Sequence, residues 1–125
     1  MKLQISSVAD KGVLDKERII LKVLIDADVG NFLLMQTGVN SEDGGVTTHV
    51  YQSFWFPWKS VAAGDLVVVY TKSGTNSEKT IGGGQAGRTA HFFYWGLRAP
   101  IWNNTNRASV ILHAPEWESK TAEEL

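Results

Sequence analysis

Cysteine is absent from all 125 residues, which removes disulfides, thiolate nucleophiles and sulfur-ligated metals together. Stability has to come from packing alone. Charge of one sign is also lacking: 12 Lys and Arg stand against 13 Asp and Glu, for a formal net charge of −1, so no net field draws the chain to nucleic acid or to an anionic membrane. No stretch approaches the ~18 consecutive apolar residues of a membrane-spanning helix. The first ten residues carry one lysine and no sustained apolar run, unlike a secretory signal, and the expectation is a cytoplasmic protein with no membrane partner. Histidine is scarce. His49, His91 and His113 are the only imidazoles, and none pairs with another at the i, i+2 or i, i+4 spacing that builds metal sites.

What the chain does have is apolar and aromatic content: 43% hydrophobic residues, five Trp and five Phe. That composition belongs to one globular domain spanning 1–125 and favours β structure. Glu17 to Ile25 is rich in β-branched residues and runs into Asp26-Ala-Asp-Val-Gly30, a turn of Asp and Gly. Asn31 to Gln36 reads as a buried strand, and Thr37 to Val46 as a polar, glycine-rich loop. From Thr47 the chain is extended to Pro57, with Phe54 and Phe56 on one face and Trp55 on the other. Leu66-Val-Val-Val-Tyr70 is a continuous apolar run of the kind a central strand shows. Residues 72–90 read as one long loop. Order resumes at His91 to Trp95, passes Ile101-Trp102 and the turn 103–107, and closes with Ser109 to Leu112, leaving an acidic tail over 114–125. About seven to nine short strands separated by turns describe an all-β sandwich.

The catalytic motifs are missing. Residues 82–87 satisfy G-x-G-x-x-G, but no helix follows and the βαβ context of a dinucleotide site is absent. Asp26 and Asp28 resemble the start of a calcium loop, yet Asn31 and Thr37 occupy the positions of the required glycine and final carboxylate, so a capped turn is expected. There is no Gly-x-Ser-x-Gly elbow. The expectation is a protein with no cofactor, no metal and no enzymatic activity.

The order of landmarks, Asp26 to Gln36, Phe54-x-Phe-Pro57, Ala63-Gly-Asp-Leu-Val-Val-Val-Tyr70, a Gly-rich loop, Tyr94-Trp-Gly96 and Ile101 to Leu112, resembles the lamin tail domain over about residues 17–113. The resemblance implies an immunoglobulin-like β-sandwich of the bacterial stand-alone type. Gly64 is expected to take a positive φ at the turn into the valine-rich strand, and Tyr94 and Trp102 to bridge two packed sheets. Some lamin-type tails contact nucleic acid through a basic surface near the Phe-Pro turn. Here Trp55 stands where those proteins carry a basic residue.

Two sets of binding residues follow. Trp55 and Trp58 flank the Phe-Pro turn and, if exposed, anchor a protein interface or stack on a sugar or base. Lys59, Lys72, Lys79 and Arg88 form a candidate basic cluster for phosphates. The leading expectation is protein–protein recognition or self-association; the alternatives are a nucleic-acid-binding domain and a carbohydrate-binding module.

Overall fold

The computed structural model describes residues 1–82 and 87–125, and among them nearly all regular structure is β. The strands are β1 (Leu3–Ala9), β2 (Arg18–Val23), β3 (Ala27–Asp28), β4 (Phe32–Val39), β5 (Val46–Trp55), β6 (Ser60–Val61), β7 (Leu66–Tyr70), β8 (Ser77–Ile81), β9 (Arg88–Tyr94) and β10 (Arg107–His113). A five-stranded sheet runs β1-β2-β7-β9-β8 and a three-stranded sheet β10-β4-β5, with β3 and β6 paired as a small third ladder. All pairings are antiparallel except β7 with β9.

Alternation along each strand decides which side chains meet between the sheets. The five-stranded sheet contributes Leu3, Ile19, Leu21, Val23, Val67, Val69 and Phe93, and the three-stranded sheet Phe32 and Leu34, to one core that also holds Val29, Phe56, Val61 and Trp102. Phe54 and Phe56 enter this core, their rings at right angles 5.1 Å apart, while Trp55 faces outward as the alternation requires. Gly64 has φ of +94° at the turn into β7, as expected of a position where a Cβ would be strained.

The structure differs from the sequence reading in five places. The packed body begins before residue 17, because β1 pairs along β2 and Leu3 is fully buried. β4 continues through Val39, shortening the loop expected from Thr37. Residues 72–90 are not one loop: β8 pairs with β9 from Ser77 to Ile81, and β9 starts at Arg88. Their polar sequence is that of a sheet edge, where only one side of the strand is paired. The run 82–87 lies largely outside the described residues. Tyr94 does not bridge the sheets; alternation along β9 turns it outward, where it stacks on Tyr70 at 5.2 Å, and its neighbour Trp95 packs on the core instead. Ile101 and Trp102 belong to no strand, and Trp102 reaches the core from a turn.

A buried carboxylate fixes that turn. Glu17 is fully buried and accepts hydrogen bonds from Gly12 N (3.0 Å), Thr71 Oγ1 (2.5 Å), Ile101 N (2.9 Å) and Trp102 N (3.1 Å). Its own backbone oxygen accepts from Thr71 N at 3.1 Å. One side chain therefore ties the start of β2 to the end of β7 and to the segment carrying Trp102. Replacing it leaves several buried donors unsatisfied at once. Glu17→Ala is expected to lower unfolding stability by roughly 3–5 kcal/mol in urea titrations, and Glu17→Gln by less, since the amide keeps one acceptor oxygen. A loss below about 1 kcal/mol for the alanine variant would contradict this role.

Candidate functional site

Trp58 is held in place by the turn that the sequence offered as a capped Asp/Gly element. Asp28 Oδ1 accepts from Gly30 N and from Lys59 N, both at 2.9 Å, and Val29 N donates to Lys59 O at 3.0 Å. Asp26 Oδ1 accepts from Ala63 N at 2.8 Å. The two aspartates thus bind the segment 26–30 to the segment 59–63. Among the described residues no group of three or more His, Asp or Glu is arranged to hold a metal ion. The clamp presses the Trp58 ring onto Gly30, where a Cβ would lie only 2.4 Å from the indole. Only glycine permits that approach. One indole face rests on backbone, and Trp58 remains 63% exposed.

Trp55 is 48% exposed and donates its indole N–H to Gly30 O at 2.8 Å. Trp117, from the acidic tail, meets it edge to face at 4.9 Å and is itself 50% exposed. Gly30, Trp55, Phe56, Pro57, Trp58 and Trp117 line a cleft of about 260 Å³. The surface continues along the outer face of the three-stranded sheet, where Leu33 lies between Trp55 and Leu112 and Met35 lies beside Val110. Trp117 escaped the sequence reading because it stands in a polar, acidic segment with no strand or turn signal around it.

A second cleft, about 380 Å³, opens on the other side of Pro57 and Trp58 and is walled further by Lys59, Asn76, Ser77, Glu78, His91, Phe92 and Phe93. Behind it lies a polar chain. Asp65, which directly precedes β7, accepts from Ala62 N (3.0 Å), Thr89 N (3.0 Å) and His91 Nε2 (2.9 Å). On the far side of the imidazole, Glu78 Oε2 stands 3.6 Å from His91 Nδ1 and 3.4 Å from Lys59 Nζ. Burial pushes the Asp65 carboxyl up, but the Ala62 N–H, the His91 ring and the Thr89 N–H outweigh it and hold the group below its ordinary pKa. An ionised carboxylate only accepts, so Nε2 carries a proton toward Asp65. Nδ1 is buried and, among the described residues, has no hydrogen-bond partner. His91 and Asp65 were invisible in sequence as a pair because they meet across the parallel β7–β9 ladder, 26 residues apart in the chain.

The four basic residues do not form one cluster. Lys59 is paired with Glu78. Lys72 lies over the Tyr70 ring at 5.3 Å, beyond the end of β7, whereas Arg88 opens β9 at the opposite end of the parallel ladder, roughly 20 Å away at ~3.3 Å per residue. Lys79 alternates with Glu78 and so faces away from the cleft, onto the outer face where Arg88 lies one diagonal step away across the β8–β9 ladder.

Comparison with known proteins finds no matching family model, no matching curated protein and no matching solved structure. None of the helical segments is long and apolar enough to cross a membrane among the described residues.

The depressed Asp65 pKa sets the sign of an acid effect. A carboxyl whose folded pKa lies below its unfolded value contributes stability that is present above the unfolded value, about 3.9, and is lost as pH falls through the folded one. Asp65→Asn is expected to cost about 1–3 kcal/mol near neutrality and to flatten the decline in stability below about pH 4. Equal acid slopes for variant and parent in thermal melts would refute the assignment.

Proposed function

We propose that the chain is a non-enzymatic recognition domain, immunoglobulin-like and akin to the lamin tail domain, that binds a protein surface through the tryptophan face built on Gly30. The observation that carries this reading is the continuity of Trp58, Trp55 and Trp117 with Leu33 and Leu112 on one outward side of the molecule. Three half-exposed indoles alone leave on the order of 300 Å² of apolar surface, in the range of the largest patch on a typical monomer, which is often functional. Tryptophan is also the side chain most often found to dominate interface energy. Here the indoles are fixed in advance, by the Gly30 contact and by the Trp55 hydrogen bond, so little side-chain entropy is lost on binding. The landmark order shared with lamin tails supports a recognition role and no particular partner.

The test is association state and partner capture in parent and variants. Trp58→Ala removes an exposed ring and is expected to leave the melting curve nearly unchanged; Trp55→Ala also loses the Gly30 hydrogen bond and should cost about 1–2 kcal/mol. Gly30→Ala displaces the Trp58 ring without altering any tryptophan. In size-exclusion chromatography with light scattering, a parent dimer that these three variants dissociate identifies a second copy as the protein bound. With a monomeric parent, in-cell cross-linking should recover a discrete partner that all three variants lose. Association or capture indifferent to all three variants would remove this reading.

A further inference from the structure

Buried polar atoms in folded proteins are nearly always paired, so an unpaired one in the wall of a cleft marks a place where a ligand atom completes the bond. His91 Nδ1 is such an atom. The ring is 4% exposed, its Nε2 is fixed on Asp65, and its Nδ1 is turned to the cleft side, 3.6 Å from Glu78 Oε2. Glu78 and Lys59, which flank Nδ1, are half-exposed and paired with each other at 3.4 Å.

The rest of the wall narrows the chemistry. Lys59 donates, Glu78 accepts, and Asn76 and Ser77 can do both. The charges of Lys59 and Glu78 cancel, so a charged ligand finds no unmatched partner, and a wholly apolar one would strand the polar groups. Trp58 adds a rigid flat face held from behind by Gly30. The volume of about 380 Å³ falls within the ~300–1,000 Å³ of small-molecule sites. A ring with an apolar C–H face and a rim of hydroxyls matches all of these features.

We propose that this cleft binds an uncharged, hydroxyl-rich ring, a sugar unit, either free or carried on a larger glycan. The ring stacks on Trp58, one hydroxyl, which can donate or accept, hydrogen-bonds with His91 Nδ1, a second donates to Glu78, and Lys59 donates to a hydroxyl oxygen. The site shares Trp58 with the protein-binding face, but Trp55 and Trp117 do not line it, so the two readings succeed or fail separately.

The experiment is titration of the ¹⁵N-labelled chain with the methyl glycosides of glucose, galactose, mannose and N-acetylglucosamine, and with linear trisaccharides of the same sugars. Saturable shifts are expected at the Trp58 indole N–H, at the backbone amides of Lys59, Ser77 and Glu78, and at the His91 Nδ1 resonance. Trp58→Ala and Glu78→Gln should each weaken binding about tenfold, and Trp55→Ala should leave it unchanged. Tighter binding of a trisaccharide assigns a glycan, and equal binding assigns a free sugar. No saturable shift with any member of the set overturns the proposal, as do shifts confined to Trp55 and Trp117. Methylammonium or acetate, titrated as charged controls, overturns it by occupying the cleft where the sugars do not.

Discussion

The sandwich depends on β7 being held at both ends by carboxylates taken out of water. Glu17 receives Thr71 just past the end of the strand, and Asp65 stands just before its start. A carboxylate can be buried only when its lone pairs are met by donors, and both achieve this largely with backbone N–H groups: three to Glu17 and two to Asp65. All but Thr89, which lies in β9, come from segments with no regular structure of their own, and together these donors fix the segment that carries Trp102 into the core and tie the start of β9 to that of β7. The continuous apolar run of β7 supplies the packing energy, while the two acids decide which loops pack against it.

That division explains what could be read from the sequence. β2, β4, β5, β7, β9 and β10 were legible because each is an apolar or alternating run with turn residues at its ends, and the facing of Phe54, Trp55 and Phe56 followed from alternation alone. β8 was not legible. Ser77-Glu-Lys-Thr-Ile81 has the composition of a loop, and it becomes a strand because β9 presents an open edge to it; that is a tertiary cause with no local signal. Of the six residues expected to bind, Trp55 and Trp58 occupy one surface, and Lys59 borders the adjoining cleft. Lys79 and Arg88 share the outer face of the β8–β9 ladder and Lys72 lies at its other end, because register along β7, β8 and β9, unknown from one sequence, sets their positions.

The Asp26/Asp28 turn is the capped turn that the sequence led one to expect: one oxygen of each aspartate accepts from the N–H groups of Gly30, Lys59 and Ala63. The consequence is mechanical. By holding residues 59–63 against 26–30, the turn decides that Trp58 lies flat on Gly30 instead of ranging through solvent.

Rigidity at Trp58 also links the two clefts. The same indole ends the apolar face that runs through Trp55 and Trp117 and begins the polar cleft that ends at His91. Anything bound in the polar cleft covers part of the edge that a protein partner would touch. A partner gripping Trp58 in turn narrows the entrance to His91. With the Trp58 backbone tied down through the neighbouring Lys59 and its ring seated on Gly30, neither side can yield by moving the indole away. Were both clefts occupied as proposed, the shared indole would set the two ligands in competition by direct contact, with no wider change in the sandwich required.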